Sequence, residues 1–112
     1  MPEAIIAYRE LLSAYPDLPD SWYNLGWLCR HAGQGKDAIA AYDEALKRGI
    51  KDAEEVYLNR AALYSDAMAR PEDAKADLEK AIALNPLYLP ALLNLGNLYE
   101  DLGDRDAAPG AN

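Results

Sequence analysis

His31 and Cys29 are the only histidine and the only cysteine in the chain. Any nucleophile–base chemistry built on them would have to use this one pair. They stand two residues apart in the run WYNLGWLCRHAG, whose apolar positions recur at helical steps. Two steps on a 3.6-residue helix turn through about 200°, so thiol and imidazole point to opposite sides. Cys29 falls on the apolar face and reads as a buried small hydrophobe. No His/Cys cluster has zinc-ligand spacing. Gly33-Gln34-Gly35 joins two helices and lacks the strand-to-helix setting of a phosphate cradle. Asp101-Leu102-Gly103-Asp104-Arg105-Asp106 alternates acids, but has neither the order nor the distal glutamate of a calcium loop. It reads as a solvated turn. No catalytic residue, metal site or cofactor is expected.

Recognition has more support. Asp20, Tyr23, Asn24, Trp27, Arg30 and His31 lie along one side of a helix, turned away from Trp22 and Cys29. Two further stripes match it: Glu55, Leu58, Asn59, Ala62 and Asp66, then Pro90, Leu93, Asn94, Asn97 and Asp101. Tyr23 and Trp27 combine large apolar area with a polar tip, the residue types that dominate binding hot spots. Packing against the preceding helix is the other use open to Trp27. Asn24, Asn59 and Asn94 recur every 35 residues. An amide donates and accepts at once, so such a ladder suits the backbone of an extended chain. Local bonding to neighbouring backbone is the competing reading.

These stripes need helices to hold them. Trp22, Leu25, Gly26 and Cys29 recur at three- and four-residue steps and mark a packing face. Gly33-Gln34-Gly35 breaks the helix, and Lys36 and Asp37 open the next, whose face is Ala38, Tyr42 and Ala45. Small residues let the two helices approach, and Trp22, Leu25 and Tyr42 fill the flanks. The pattern returns: Asn24-Leu25-Gly26, Asn59-Arg60-Ala61 and Asn94-Leu95-Gly96 are 35 residues apart, and Ala74, Leu78 and Ala81 echo the second face 36 residues on. A period of this size built from helix–turn–helix units marks a helical solenoid.

Trp22, Leu25, Gly26, Ala38, Tyr42 and Ala45, with Pro86 at a repeat end, resemble the signature of the tetratricopeptide repeat over almost the whole chain. The resemblance implies an all-α, right-handed helical solenoid of antiparallel helix pairs, about six helices in a single domain. Residues 1–16 are then the second helix of a partial repeat. Residues 19–52 and 53–88 are full repeats, the latter with a one-residue insertion in the turn region 65–71, and residues 89–112 are a first helix plus a tail. Asp20 or Ser21 is expected to cap the helix after Pro19, and Gly49 to stop the helix where Ile50 replaces the usual proline. Arg60 replaces a common leucine, with a packed stem and a guanidinium reaching water. The packing places of the last helix fall to Leu92, Leu95, Gly96 and Tyr99. Asp104–Ala108 begins a partner helix too short to form.

In this family the Tyr23 side of each first helix lines a concave groove that binds a peptide or a helix. The Asn24, Asn59 and Asn94 spacing is similar to the asparagine ladder of O-linked N-acetylglucosamine transferases. The family's carboxylate clamp for the acidic C-terminus of heat-shock chaperones is not matched. Its cation places hold Tyr23, Pro90 and Asn94, and only Asn59 agrees. Asp20, Glu55, Asp66 and Asp101 flank the groove, so a neutral, apolar or basic segment is the complementary ligand.

Composition limits the alternatives. A net charge of −8 opposes nucleic acid and anionic membrane surfaces. A single Cys gives no evidence of an oxidising compartment. No apolar run approaches the roughly 20 residues of a membrane span. The expected task is therefore that of a non-catalytic protein-interaction scaffold. The alternatives are a recognition fragment of a larger glycosyl- or sulfotransferase-like enzyme, or a unit that self-associates end to end. In the last case the opening helix of one copy would supply what the closing helix of another lacks. Ends that simply tolerate exposure remain open beside it.

Overall fold

The computed structural model describes residues 2–103. Six helices follow one another in the described residues: α1 (Pro2–Ala14), α2 (Pro19–His31), α3 (Gly35–Lys47), α4 (Ala53–Asp66), α5 (Pro71–Leu84) and α6 (Leu89–Asp101). The expected partner segment Asp104–Ala108 lies outside them.

Local chemistry sets the helix ends. Proline occupies the first turn of α2, α5 and α6, where its fixed φ suits the helix and no N–H is needed. That changes one expectation. Helix α2 starts at Pro19 with Leu18 at the N-cap and no side-chain cap bond. Asp20 and Ser21 therefore lie inside the first turn, where Asp20 faces the positive end of the helix dipole. Helix α3 likewise opens at Gly35, one residue ahead of Lys36. Gly33 (φ 77°) and Gly49 (φ 74°) end α2 and α3 in left-handed geometry. The N–H groups of Gln34 and Ile50 return to Cys29 O (2.8 Å) and Ala45 O (3.2 Å), which satisfies carbonyls the helix leaves open. After α4 the inserted residue shifts this position. Met68 N–H returns to Leu63 O at 3.1 Å, and Ala69 takes the left-handed conformation at φ 51°.

Helix α2 packs on α3 and α4 on α5, and each pair leans on its neighbours along an elongated body of 55 × 26 × 17 Å. One apolar cluster joins Ile5, Leu12, Leu25, Cys29, Ala38 and Tyr42 to Val56 and Leu63. A second joins Ala61, Ala74, Leu78, Ala81, Ala91 and Leu98. Gly26 lets the tightest contact form: a Cβ there would stand 2.6 Å from Cδ1 and Cε1 of Tyr42.

Two differences from expectation have physical causes. The Arg60 guanidinium is held in ion pairs rather than free in water. Its side chain is 16% exposed, and it donates two bonds to Asp77 (2.8 and 2.7 Å) and one to Asp43 (2.6 Å). The Tyr57 and Tyr64 rings stand 5.6 and 5.8 Å from it. Bonding to Asp77 raises the Arg60 pKa further above its ordinary value, against the opposing effect of burial. The triad joins α3, α4 and α5. In α6, Ala91 and Leu98 are the buried residues, while Leu92 and Gly96 are exposed and Leu95 and Tyr99 half-buried. Ala91 and Leu98 belong to the cluster shared with α4 and α5. A Cβ on Gly96 would meet nothing within 4 Å.

Candidate functional site

Helices α2, α4 and α6 carry the three polar stripes and lie side by side, α2 touching α4 and α4 touching α6. At the first junction the stripe residues bond to one another. Arg30 Nη1 donates to Asn59 Oδ1 at 2.7 Å. Asn59 Nδ2 donates to Tyr23 Oη (3.1 Å) and to the Glu55 carbonyl (2.8 Å). The Asn59 amide therefore has both hydrogens and its oxygen engaged. Burial, then the nearby Glu55 charge, push the Tyr23 phenol up; Arg30 and the Asn59 bond oppose them.

Trp27 is 45% exposed, and its ring stacks on His31 at 3.8 Å between centroids. His31 Nδ1 lies 2.9 Å from the Trp27 carbonyl. The pair presents a flat aromatic surface beside the network. Asn24 is exposed and donates one hydrogen to Tyr8 Oη at 3.2 Å, leaving its carbonyl open. Leu58 is half-buried against the second core cluster, whereas Leu93 is 66% exposed. Cys29 lies buried beneath the stripe, its thiol pushed up by burial.

The second junction is different. Between α4 and α6 a cleft of about 220 Å³ opens, lined by Ala61, Ala62, Ser65, Asp66, Leu78, Asn94, Asn97, Leu98 and Asp101. Buried Ala61, Leu78 and Leu98 form its floor, and exposed Asp66, Asn97 and Asp101 its rim. Asn94 is half-buried, and neither it nor Asn97, Asp66 or Asp101 has a polar partner among the described residues. Five of these residues belong to the stripes read from sequence. A smaller hollow of about 170 Å³ lies at the other end of α2 and α4, between Asp20, Tyr23, Lys51, Asp52 and Glu55.

Sequence reasoning did not find the Arg30–Asn59 bond, the cleft or the Arg60–Asp77 pair. A signal for the last was present. Leu25 and Ala41, both buried and apolar in the first full repeat, become Arg60 and Asp77 at the equivalent places of the next. An apolar pair exchanged for opposite charges is what an internal ion pair requires.

Comparison with known proteins agrees with this architecture. The sequence model described as "Tetratricopeptide repeat" matches residues 2–53 and 59–111. The chain is 50% identical over 52 residues to the Hsp70-Hsp90 organizing protein of Triticum aestivum, covering 46% of this chain and 9% of that protein. It is 26% identical over 111 residues to the protein O-mannosyl-transferase TMTC3 of Homo sapiens, covering 99% of this chain and 12% of that protein. The chain thus spans about a tenth of the length of these curated relatives. Among solved structures, a crystal structure of MamA superposes with a TM-score of 0.83 at 28% identity, covering 96% of this chain and 61% of that one. Periodic sequence, stacked helix pairs and matched relatives lead to one conclusion: the chain belongs to the tetratricopeptide repeat family.

Proposed function

We propose that this is a protein-interaction domain that holds a segment of another polypeptide, extended or helical, along the inner surface of α2, α4 and α6, without catalysing a reaction. The supporting observation is the sequence of surfaces along that side: an exposed Trp27–His31 stack, then the Tyr23–Asn59–Arg30 network, then the open α4–α6 cleft. Apolar area at Trp27 supplies affinity. The open amides of Asn24, Asn94 and Asn97 pair with ligand backbone, while the engaged Asn59 holds neighbouring helices in register. The carboxylates favour a neutral, apolar or basic ligand, and an acidic C-terminal tail of the heat-shock chaperone kind is not expected to bind.

A peptide selected by display against the domain provides the test. Tyr23→Ala with Trp27→Ala should weaken it more than tenfold with helical content unchanged. Asn94→Ala should weaken it more than Asn24→Ala does. Unchanged affinity in the double aromatic variant would place the ligand elsewhere. The near-complete alignment with a transferase of different total length supports a second reading, a recognition segment that presents substrate to a catalytic domain outside these residues. Attachment of such a domain to these repeats in the full-length protein would favour it.

A further inference from the structure

The cleft between α4 and α6 has an occupied counterpart within the same molecule. At the α2–α4 junction, Arg30 reaches across and donates to Asn59 at 2.7 Å. Moving both residues on by one repeat of 35 gives Ser65 and Asn94. Serine is too short to cross, and Asn94 is left without a polar partner among the described residues. Large side chains of the first full repeat are also reduced at the equivalent places of the next: Trp27 becomes Ala62, and Tyr42 becomes Leu78. These replacements leave room at the second junction, where about 220 Å³ stands open. Its mouth carries Asp66 from α4 and Asp101 from α6; among the described residues both are exposed and unpaired, and no Lys or Arg lines the cleft.

The geometry points to a binding pocket for an arginine side chain of the partner polypeptide, seated where Arg30 sits one repeat earlier. The aliphatic stem lies on Leu78 and Leu98. The guanidinium donates to Asn94 Oδ1, as Arg30 does to Asn59, and its remaining N–H groups meet the Asp66 and Asp101 carboxylates. Planar, five-donor geometry suits such a divided set of acceptors better than the point charge of a lysine. This pocket deepens the groove reading and rests on it.

Isotope-edited NMR of the domain with a blocked Gly-Gly-Arg-Gly-Gly peptide tests the assignment. Saturable shifts are expected at the side-chain amides of Asn94 and Asn97. The same peptide with citrulline, which keeps the shape and loses the charge, should bind about tenfold more weakly, and the lysine version should also be weaker. Asp66→Asn with Asp101→Asn should reduce affinity by a similar factor. Ser65→Arg should fill the cleft from within and abolish the shifts; Arg30 already occupies this place in the fold, so the variant should keep its helical spectrum. Citrulline or lysine peptides binding as tightly as arginine would overturn the assignment, as would full binding to Ser65→Arg. If these fail while the display-selected peptide still needs Tyr23 and Trp27, the pocket falls and the groove stands; if both fail, the groove falls with it.

Discussion

Single residues in this chain have opposite effects at equivalent places, and glycine gives the clearest case. Gly26 and Gly96 occupy the same register of α2 and α6. Gly26→Ala drives a methyl group into the Tyr42 ring, where a Cβ would lie 2.6 Å away, and should destabilise by about 1–3 kcal/mol. Gly96→Ala meets open space within an exposed helix and should stabilise by up to about 1 kcal/mol. Thermal melts of the two variants should move in opposite directions. Tyr42 makes a second residue-scale prediction. Its hydroxyl is buried with no partner at hydrogen-bonding geometry among the described residues, and burial, reinforced by Tyr23 and opposed by the nearby Arg30, pushes its pKa well above the ordinary value of 10.0. The unfolded chain therefore releases this proton from about pH 10, while the folded chain holds it. Folding stability is unaffected by this group below pH 10 and falls as pH rises beyond it. Tyr42→Phe should flatten that alkaline loss and, by removing an unsatisfied hydroxyl, raise stability near neutral pH by about 1 kcal/mol in denaturant titrations.

At the scale of elements, the Asp43–Arg60–Asp77 triad links three helices across the junction of the two full repeats. Arg60 and Asp77 are 16% and 4% exposed at the side chain, so their pairing is largely shielded from water. Asp77→Ala removes two of the three bonds to the guanidinium, leaves it with Asp43 alone and should cost about 1–3 kcal/mol. Arg60→Leu with Asp77→Ala copies the Leu25–Ala41 pairing and should recover most of that loss. Equal destabilisation in the single and double variants, by chemical denaturation, would contradict this account. The triad also shows where sequence reading stopped. Helix positions, turn glycines and the two packing faces followed from period and residue size, because these are local properties. The destination of the Arg60 guanidinium depended on Asp77, 17 residues away, and on the depth of the space between helices. The α4–α6 cleft was hidden for the same reason. Ser65, Ala62 and Leu78 are unremarkable one by one and open a cavity only when set against Arg30, Trp27 and Tyr42. That three matching polar stripes recur on α2, α4 and α6 was legible from spacing, but not whether each polar group was engaged locally, as at Asn59, or left open, as at Asn94.

For the whole molecule, repeated helix pairs build an elongated body whose inner helices present one long surface, and that surface is proposed to grip another chain. Charge shapes the choice of ligand. A net charge of −8, with Asp66 and Asp101 at the cleft, should make binding of a basic segment weaken several-fold as ionic strength rises toward 0.5 M, where the screening length falls to a few Å. Salt-insensitive affinity would assign the energy to Tyr23 and Trp27 alone. The most direct measurement maps the ligand itself: backbone and side-chain NMR shifts of the domain on titration with a display-selected peptide. The account predicts that the largest shifts fall on Tyr23, Trp27, Asn94 and Asn97, on the inner side of α2 and α6. Shifts gathered instead on α3 and α5, around Glu44 or Lys80, would contradict it.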